Sequence, residues 1–191
     1  MELIFATNNS HKLKEISALL GNEIRLLSPA ELGINEDIPE EFDTIEENAM
    51  AKARYIYGLT GRDVFADDTG LEIEALGGEP GVHSARYAGP EKNFEKNIDK
   101  VLDRMKNYDC RDACFRTVIA LIRNGSEHLF EGKVCGKITK ERRGSEGFGY
   151  DPVFIPEGFN ITFAQMSLEE KNRISHRAEA FRKLRSFLLK T

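Results

Sequence analysis

The stretch Leu3-Ile4-Phe5-Ala6-Thr7-Asn8-Asn9-Ser10-His11-Lys12-Leu13 reads as strand, turn and helix, and that reading decides the fold class. Residues 3–6 form a short buried strand. Thr7-Asn8-Asn9-Ser10 is turn and N-cap chemistry, and Leu13, Ile16, Leu19 and Leu20 recur at helical spacing before a stop at Gly21. Working outward, residues 24–27 predict a second strand closed by Ser28-Pro29. Thr44-Ile45-Glu46-Glu47 is a capping box opening a helix that ends near Gly58. Val64-Phe65-Ala66 is a short strand running into Asp67-Asp68-Thr69-Gly70, after which Leu71 and Ile73 alternate with Glu72 and Glu74 as in a half-exposed strand. A glycine-rich loop runs from Gly77-Gly78 to Gly89-Pro90. Phe94, Ile98, Val101, Leu102 and Met105 then mark an amphipathic helix. Residues 114–122 and 129–138 predict an antiparallel hairpin around Asn124-Gly125. A glycine-punctuated loop over 142–151 leads into the strand Val153-Phe154-Ile155. Ser167-Leu168-Glu169-Glu170 is a second capping box, and Phe181, Leu184, Phe187 and Leu188 stripe the last helix. Helices and strands alternate first and a hairpin follows, which predicts α/β with a mixed sheet. Without repeat, low-complexity tract or linker, residues 1–191 are expected to form one domain.

Composition narrows the function. The chain carries 27 basic and 32 acidic residues, a net charge of −5, which argues against a general nucleic-acid binder. A small anionic ligand needs only a local cluster of cations. No apolar run approaches the roughly 20 residues that cross a bilayer, and the start is not a signal peptide, so no membrane partner is expected. Cys110, Cys114 and Cys135 lack a zinc-like second pair and read as ordinary thiols, with a reducing cytoplasm as the natural setting.

Several residues could carry chemistry. The 7–12 turn meets a helix N-terminus, an anion site in principle, with Lys12 one turn in; the plainer reading is an N-cap followed by a solvated lysine. It is not a P-loop, because no G-x-x-x-x-G-K-[ST] string occurs. Asp67-Asp68 ends an apolar strand, where paired carboxylates suit a hard divalent cation, although Asp-Thr-Gly is also common turn chemistry. Lys52 falls on the stripe of Ile45, Ala49, Ala53 and Ile56, so it points inward to an anionic partner or snorkels to the rim. Phe148-Gly149-Tyr150-Asp151 offers either a cradle for a planar heterocycle or a packed aromatic turn. Ser175-His176-Arg177 could reach a polar ligand or form an ordinary surface helix end. Arg142-Arg143 reads as a solvated pair.

Together these strings resemble one family, the inosine/xanthosine triphosphate pyrophosphatases. The matching strings are Phe5-Ala6-Thr7-Asn8-Asn9-Ser10-His11-Lys12, Glu47-Asn48-Ala49 with Lys52, and Ala66-Asp67-Asp68-Thr69-Gly70-Leu71. They continue with Leu76-Gly77-Gly78-Glu79-Pro80-Gly81, Ser84-Ala85-Arg86-Tyr87, Gly147-Phe148-Gly149-Tyr150-Asp151-Pro152, and Glu170-Lys171 with Ile174-Ser175-His176-Arg177. The set keeps the family's order across nearly the whole chain. One departure is Asn8, where members usually carry glycine; Asn tolerates positive φ better than most residues.

The resemblance implies an elongated mixed α/β fold of two lobes with a central cleft, and a homodimer. It implies that Thr7, Asn8, Asn9, Ser10, His11 and Lys12 hold the triphosphate, with Lys52 as a second cation and Thr69 beside them. Asp68 would be the catalytic carboxylate and a Mg²⁺ ligand, with Asp67 in or beside the metal shell. Glu40 matches a metal-binding glutamate, and Glu41 is its rival. Phe148, Gly149, Tyr150, Asp151, Lys171, His176 and Arg177 would enclose the base. The implied reaction takes non-standard purine nucleoside triphosphates (ITP, dITP, XTP) to the monophosphate and pyrophosphate. The alternatives are a purine-nucleotide sensor that does not hydrolyse, or a pyrophosphatase for other modified nucleotides.

Overall fold

A computed structural model describes residues 1–20, 24–36, 38 and 40–190. The expected helix stop at Gly21, and Asp37 and Pro39 of the acidic segment, lie outside the described residues. The elements are β1 (Glu2–Phe5), α1 (Ser10–Leu19), β2 (Arg25–Leu27), α2 (Ile45–Thr60), β3 (Val64–Ile73), β4 (Pro80–Gly81) and α3 (Phe94–Met105). The hairpin strands β5 (Asp112–Arg123) and β6 (Ser126–Ile138) follow, then β7 (Phe154–Pro156), α4 (Leu168–Ile174) and α5 (His176–Leu189). The strands hydrogen-bond in the order β2-β1-β3-β5-β6-β7, with β4 beside β3. The mixed α/β class is therefore the one the opening stretch predicts.

The chain divides into two compact units, one of Met1–Asp68, Thr117–Gly132 and Arg177–Thr191, the other of Thr69–Arg116 and Lys133–His176. In the first, β1 pairs in parallel with β2 and β3, and alternate residues serve opposite faces. Ile4, Ala6, Val64 and Ala66 pack with Ile45, Ala49, Ala53 and Ile56 of α2. Leu3, Phe5 and Phe65 pack with Ile16 of α1 and with Phe181, Leu184 and Leu188 of α5. Both faces of β1 are thus covered, which explains why it reads as an uninterrupted apolar run rather than an alternating one. The second unit has its own core, in which Leu71 and Ile73 join Ile98, Val101 and Met105 of α3 and the aromatic residues Phe115, Phe154 and Phe163.

Three local expectations are corrected. Asp67-Asp68-Thr69-Gly70 is not a turn: the strand runs through it for 10 residues. The Thr44 cap accepts from Glu47 N, but Glu47 answers through the Thr44 hydroxyl rather than the backbone, whereas Ser167 and Glu170 complete their box. Cys114 and Cys135 are not thiols but a disulfide, with Cα atoms 4.0 Å apart, and Cys110 stays free and exposed. The pair follows from hairpin register. Asn124 and Gly125 both take positive φ, as a two-residue type I′ turn requires, and each cysteine stands ten residues from its side of that turn.

Candidate active site

Two groups of polar residues stand out, one in each unit. In the first unit, β3 carries Asp67 and Asp68 with 2% and 8% exposure, a burial that carboxylates tolerate only with partners. Asp67 accepts from Lys12 Nζ at 2.8 Å through Oδ1 and from Arg177 Nε at 3.1 Å through Oδ2. Arg177, fully buried at the start of α5, also donates to Glu15 of α1. Asp68 accepts from Lys52 Nζ at 3.2 Å through Oδ1, and Glu40 takes the same ammonium at 2.7 Å. Lys52 therefore points inward from the apolar stripe of α2 to carboxylate partners and does not snorkel.

Local sequence positions each member. Asn9 caps α1, its Oδ1 accepting from His11 N and Lys12 N, which sets Lys12 one turn in. Asn8 does not use left-handed backbone, so the glycine common at that place is not needed for the turn. Asn48 accepts from Phe42 N and donates to Phe42 O, and so fixes the segment that carries Glu40. Glu41 is exposed and Glu40 is drawn in, which favours Glu40 of the two. Asn8, Ser10 and His11 are exposed beside the cap, Thr7 is buried, and Thr69 follows Asp68 as the first residue of the second unit.

Electrostatics separates the two aspartates. Burial alone would raise both, but Lys12, Arg177 and Lys52 hold Asp67 well below the usual carboxylate range. For Asp68, burial prevails over Lys52 and Lys12, and its carboxyl is pushed up. Burial, with Lys52 and Arg177, lowers the Lys12 ammonium despite Asp67. Burial opposes charge on Lys52 too, but Asp68 and Glu40 outweigh it and hold the ammonium charged. Fully ionised, three cations (Lys12, Lys52, Arg177) face four carboxylates (Glu15, Glu40, Asp67, Asp68). Glu40 and Asp68 converge on one ammonium, so hard oxygen donors are already close together, the chemistry a small divalent cation takes. Both Asp67 oxygens serve cationic side chains, Oδ1 for Lys12 and Oδ2 for Arg177.

In the second unit, Lys171 of α4 is 3% exposed and donates to Asp151 Oδ2 at 2.5 Å. The same oxygen accepts from Phe148 N at 2.9 Å. Lys171 Nζ lies 5.1 Å from the Phe148 ring centre and 5.4 Å from that of Phe163, so two aromatic faces flank the charge. Gly147 has φ +74°, and a Cβ there would meet Asp151 Oδ2 at 2.1 Å; the backbone must be bare for the carboxylate to fit. Tyr150 is buried and donates to Ser84 O at 2.8 Å, a packing role that leaves Phe148 as the ring beside the lysine. Gly149, also at positive φ, lets the chain turn between them. His176 stacks on Phe115 at 4.7 Å.

Three outcomes differ from the sequence reading. Ser175-His176-Arg177 is buried rather than a surface helix end, and the Arg177 guanidinium pairs with Asp67 and Glu15. Arg142 is not simply solvated but clamps α3 through Glu95 and Asp99. Glu15 was missed. Its signal was weak but present: it lies three residues after Lys12 and one before the buried Ile16, on the inward side of a short helix.

Comparison with known proteins adds a family. Residues 3–187 match the Ham1 family. The chain is 54% identical over 190 residues to a dITP/XTP pyrophosphatase of Christiangramia forsetii, covering 100% of both chains. It is 54% identical over 189 residues to a dITP/XTP pyrophosphatase of Porphyromonas gingivalis, covering 98% of this chain and 97% of the other. Among solved structures, a HAM1 protein from Coxiella burnetii superposes with a TM-score of 0.92 at 39% identity, with 100% of each chain covered.

Proposed function

The chain belongs to the Ham1 family, and on that premise we propose that its buried lysine–carboxylate cluster cleaves purine nucleoside triphosphates with a divalent cation, Mg²⁺. The protein is a nucleoside-triphosphate pyrophosphatase acting on non-canonical purine nucleotides; its relatives' names give dITP and XTP, and ITP is the ribose counterpart of the first. The observation that carries the mechanism is that Lys12 and Lys52 are both nearly buried and both held on carboxylates of one strand. Such lysines are pre-positioned donors for an anionic ligand, and a triphosphate matches their charge and hardness.

Glu40 and Asp68 would hold the cation. When bound, it supplies positive charge against the phosphate oxygens. The chain's own residues do the rest. Lys12 and Lys52 bind the phosphates and take up charge on the departing pyrophosphate. Asp68, its carboxyl raised by burial, accepts the proton of the attacking water. The water oxygen bonds to the α-phosphorus, the α–β bridging bond breaks, and pyrophosphate leaves with no covalent enzyme intermediate. Asp67 and Arg177 keep Lys12 in place. Thr7, Asn8, Asn9, Ser10 and His11 line the capped helix end, whose positive dipole faces the phosphates, and Thr69 borders Asp68.

Lys171 supplies the base donor. Held by Asp151, its ammonium would turn toward the 6-keto oxygen of hypoxanthine or xanthine, while Phe148 offers a stacking face. An adenine amino group there would leave a buried donor unmatched, at a cost of about 1–3 kcal/mol. A homodimer in the cytoplasm, with residues 1–191 acting as one pyrophosphatase domain, completes the reading. The test is pyrophosphate release by wild type and Asp68→Asn. Wild-type turnover of ITP with near-complete loss in the variant supports it; tight nucleotide binding without turnover in wild type returns the sensor reading.

A further inference from the structure

The second unit also carries a pocket of about 710 Å³, whose walls include none of the residues given roles above. Part of its wall is the Cys114–Cys135 disulfide. Both cysteines are half-buried, so the bond is reachable from the pocket. In a two-residue hairpin the pair beside the turn is hydrogen-bonded and the pairs then alternate. Cys114 and Cys135 fall on a non-hydrogen-bonded pair, where antiparallel strands approach most closely. The register therefore brings the two sulfurs together in either redox state.

The neighbouring residue connects this bond to the residues assigned to the base. Phe115 stacks on His176 at 4.7 Å, meets Phe154 edge-on at 4.7 Å and lies 6.2 Å from Phe163. Phe163 in turn flanks Lys171. One peptide bond thus separates the disulfide from the aromatic cluster that holds Lys171 and His176. The pocket itself is acidic, with Glu72, Glu74, Asp112 and Glu157 in its wall against Lys137. Carboxylates repel a thiol that bears carboxylates of its own more strongly than one that bears no other charge or an ammonium. Cys110 stands outside the pair, with its thiol on Asp112 at 3.6 Å.

We infer that Cys114–Cys135 is a reversible thiol–disulfide modification site, addressed through this pocket by small uncharged or cationic thiols, and that its oxidised form braces the aromatic cluster around Lys171 and His176. In reduction, a small thiolate attacks one cysteine sulfur, the protein S–S bond breaks, and a mixed disulfide forms. A second thiol displaces the protein sulfur, leaving two cysteine thiols and one small-molecule disulfide: two electrons and two protons move to the protein. A low-molecular-weight disulfide reverses both steps. The bracing half rests on the function proposed above; the modification half does not.

Thiol counting on the folded full chain, purified without reductant, tests it. One reactive thiol is expected at first and three after dithiothreitol; Cys110→Ser should read none, two, and none again after cystamine, which in the wild type caps Cys110 as well. Three thiols at the start, or two that appear only in denaturant, would overturn the site. At equal thiolate concentration and low salt, cysteamine and 2-mercaptoethanol should open it at least about tenfold faster than glutathione, a gap that salt narrows. Equal rates would overturn the pocket's part. Reduced wild type should show an ITP KM raised roughly threefold to tenfold with kcat unchanged. Equal KM in both forms removes the brace. If neither form turns over, the proposed function fails instead, and ITP binding by equilibrium dialysis reads the brace in place of KM.

Discussion

At the residue scale, Asp67 and Asp68 are adjacent yet do different work, because one faces two cations and the other a cation shared with Glu40. Asp68→Asn keeps the shape but cannot accept a proton, so kcat should fall by about 10²–10⁴ with the melting temperature little changed. Steady-state ITP hydrolysis and thermal unfolding on one preparation check this. Asp67→Asn should act on stability first. It takes from Lys12 its carboxylate and from Arg177 one of two, a loss of about 3–5 kcal/mol for a buried pair. The pH sign follows from the depressed carboxyl: its contribution is fully present above the ordinary carboxylate pKa of about 3.9 and is lost as pH falls toward the lower folded value. Urea melts between pH 3 and 7 should therefore show a stability decline at the acid end in wild type that is shallower in Asp67→Asn. Equal slopes would mean that Asp67 does not supply it.

At the element scale, α2 and the hairpin show what pattern reading can reach. The stripe Ile45, Ala49, Ala53, Ile56 put Lys52 on the inward face, and a charge on an apolar face needs a partner; that was legible. Which carboxylates meet it was not, since Asp68 and Glu40 come from other segments and only tertiary packing brings them together. Arg177 and Glu15 are similarly remote, 162 residues apart. The cysteine pair, by contrast, could have been found: equal spacing from Asn124-Gly125 is a register statement, and composition alone obscured it. One prediction belongs to this scale. Asn48→Ala removes two bonds to the Phe42 backbone and loosens the segment carrying Glu40. The magnesium concentration for half-maximal activity should rise by roughly tenfold, the size of effect seen when a supporting contact of a metal ligand is lost, while kcat at saturating magnesium is retained. Magnesium titrations of the two proteins decide it, and an unchanged requirement would separate Glu40 from metal binding.

At the scale of the whole molecule, the mixed α/β class was readable because β1 and α1 announce themselves in the opening stretch and the core stripes keep their periods. Two lobes were implied by the family resemblance alone, because β3, β5 and β6 pass from one compact unit to the other without a linker or a change in composition to mark a boundary. The family strings found in sequence fall in both units: Lys12, Lys52, Asp67 and Asp68 in the first, Lys171, Phe148 and Asp151 in the second. That distribution predicts two separable defects. Gly147→Ala, which drives a Cβ into Asp151, should raise KM for ITP and blunt discrimination against ATP, whereas Lys52→Ala should lower kcat for every nucleotide. Competition kinetics with ITP and ATP would show whether the two effects part in this way. The most direct test of the central claim is pyrophosphate release from ITP, XTP, ATP and GTP, each with Mg²⁺ and with chelator. Fast release from ITP and XTP that chelator abolishes, with ATP slow, is the predicted result; release that survives chelation, or ATP cleaved as fast as ITP, would contradict it.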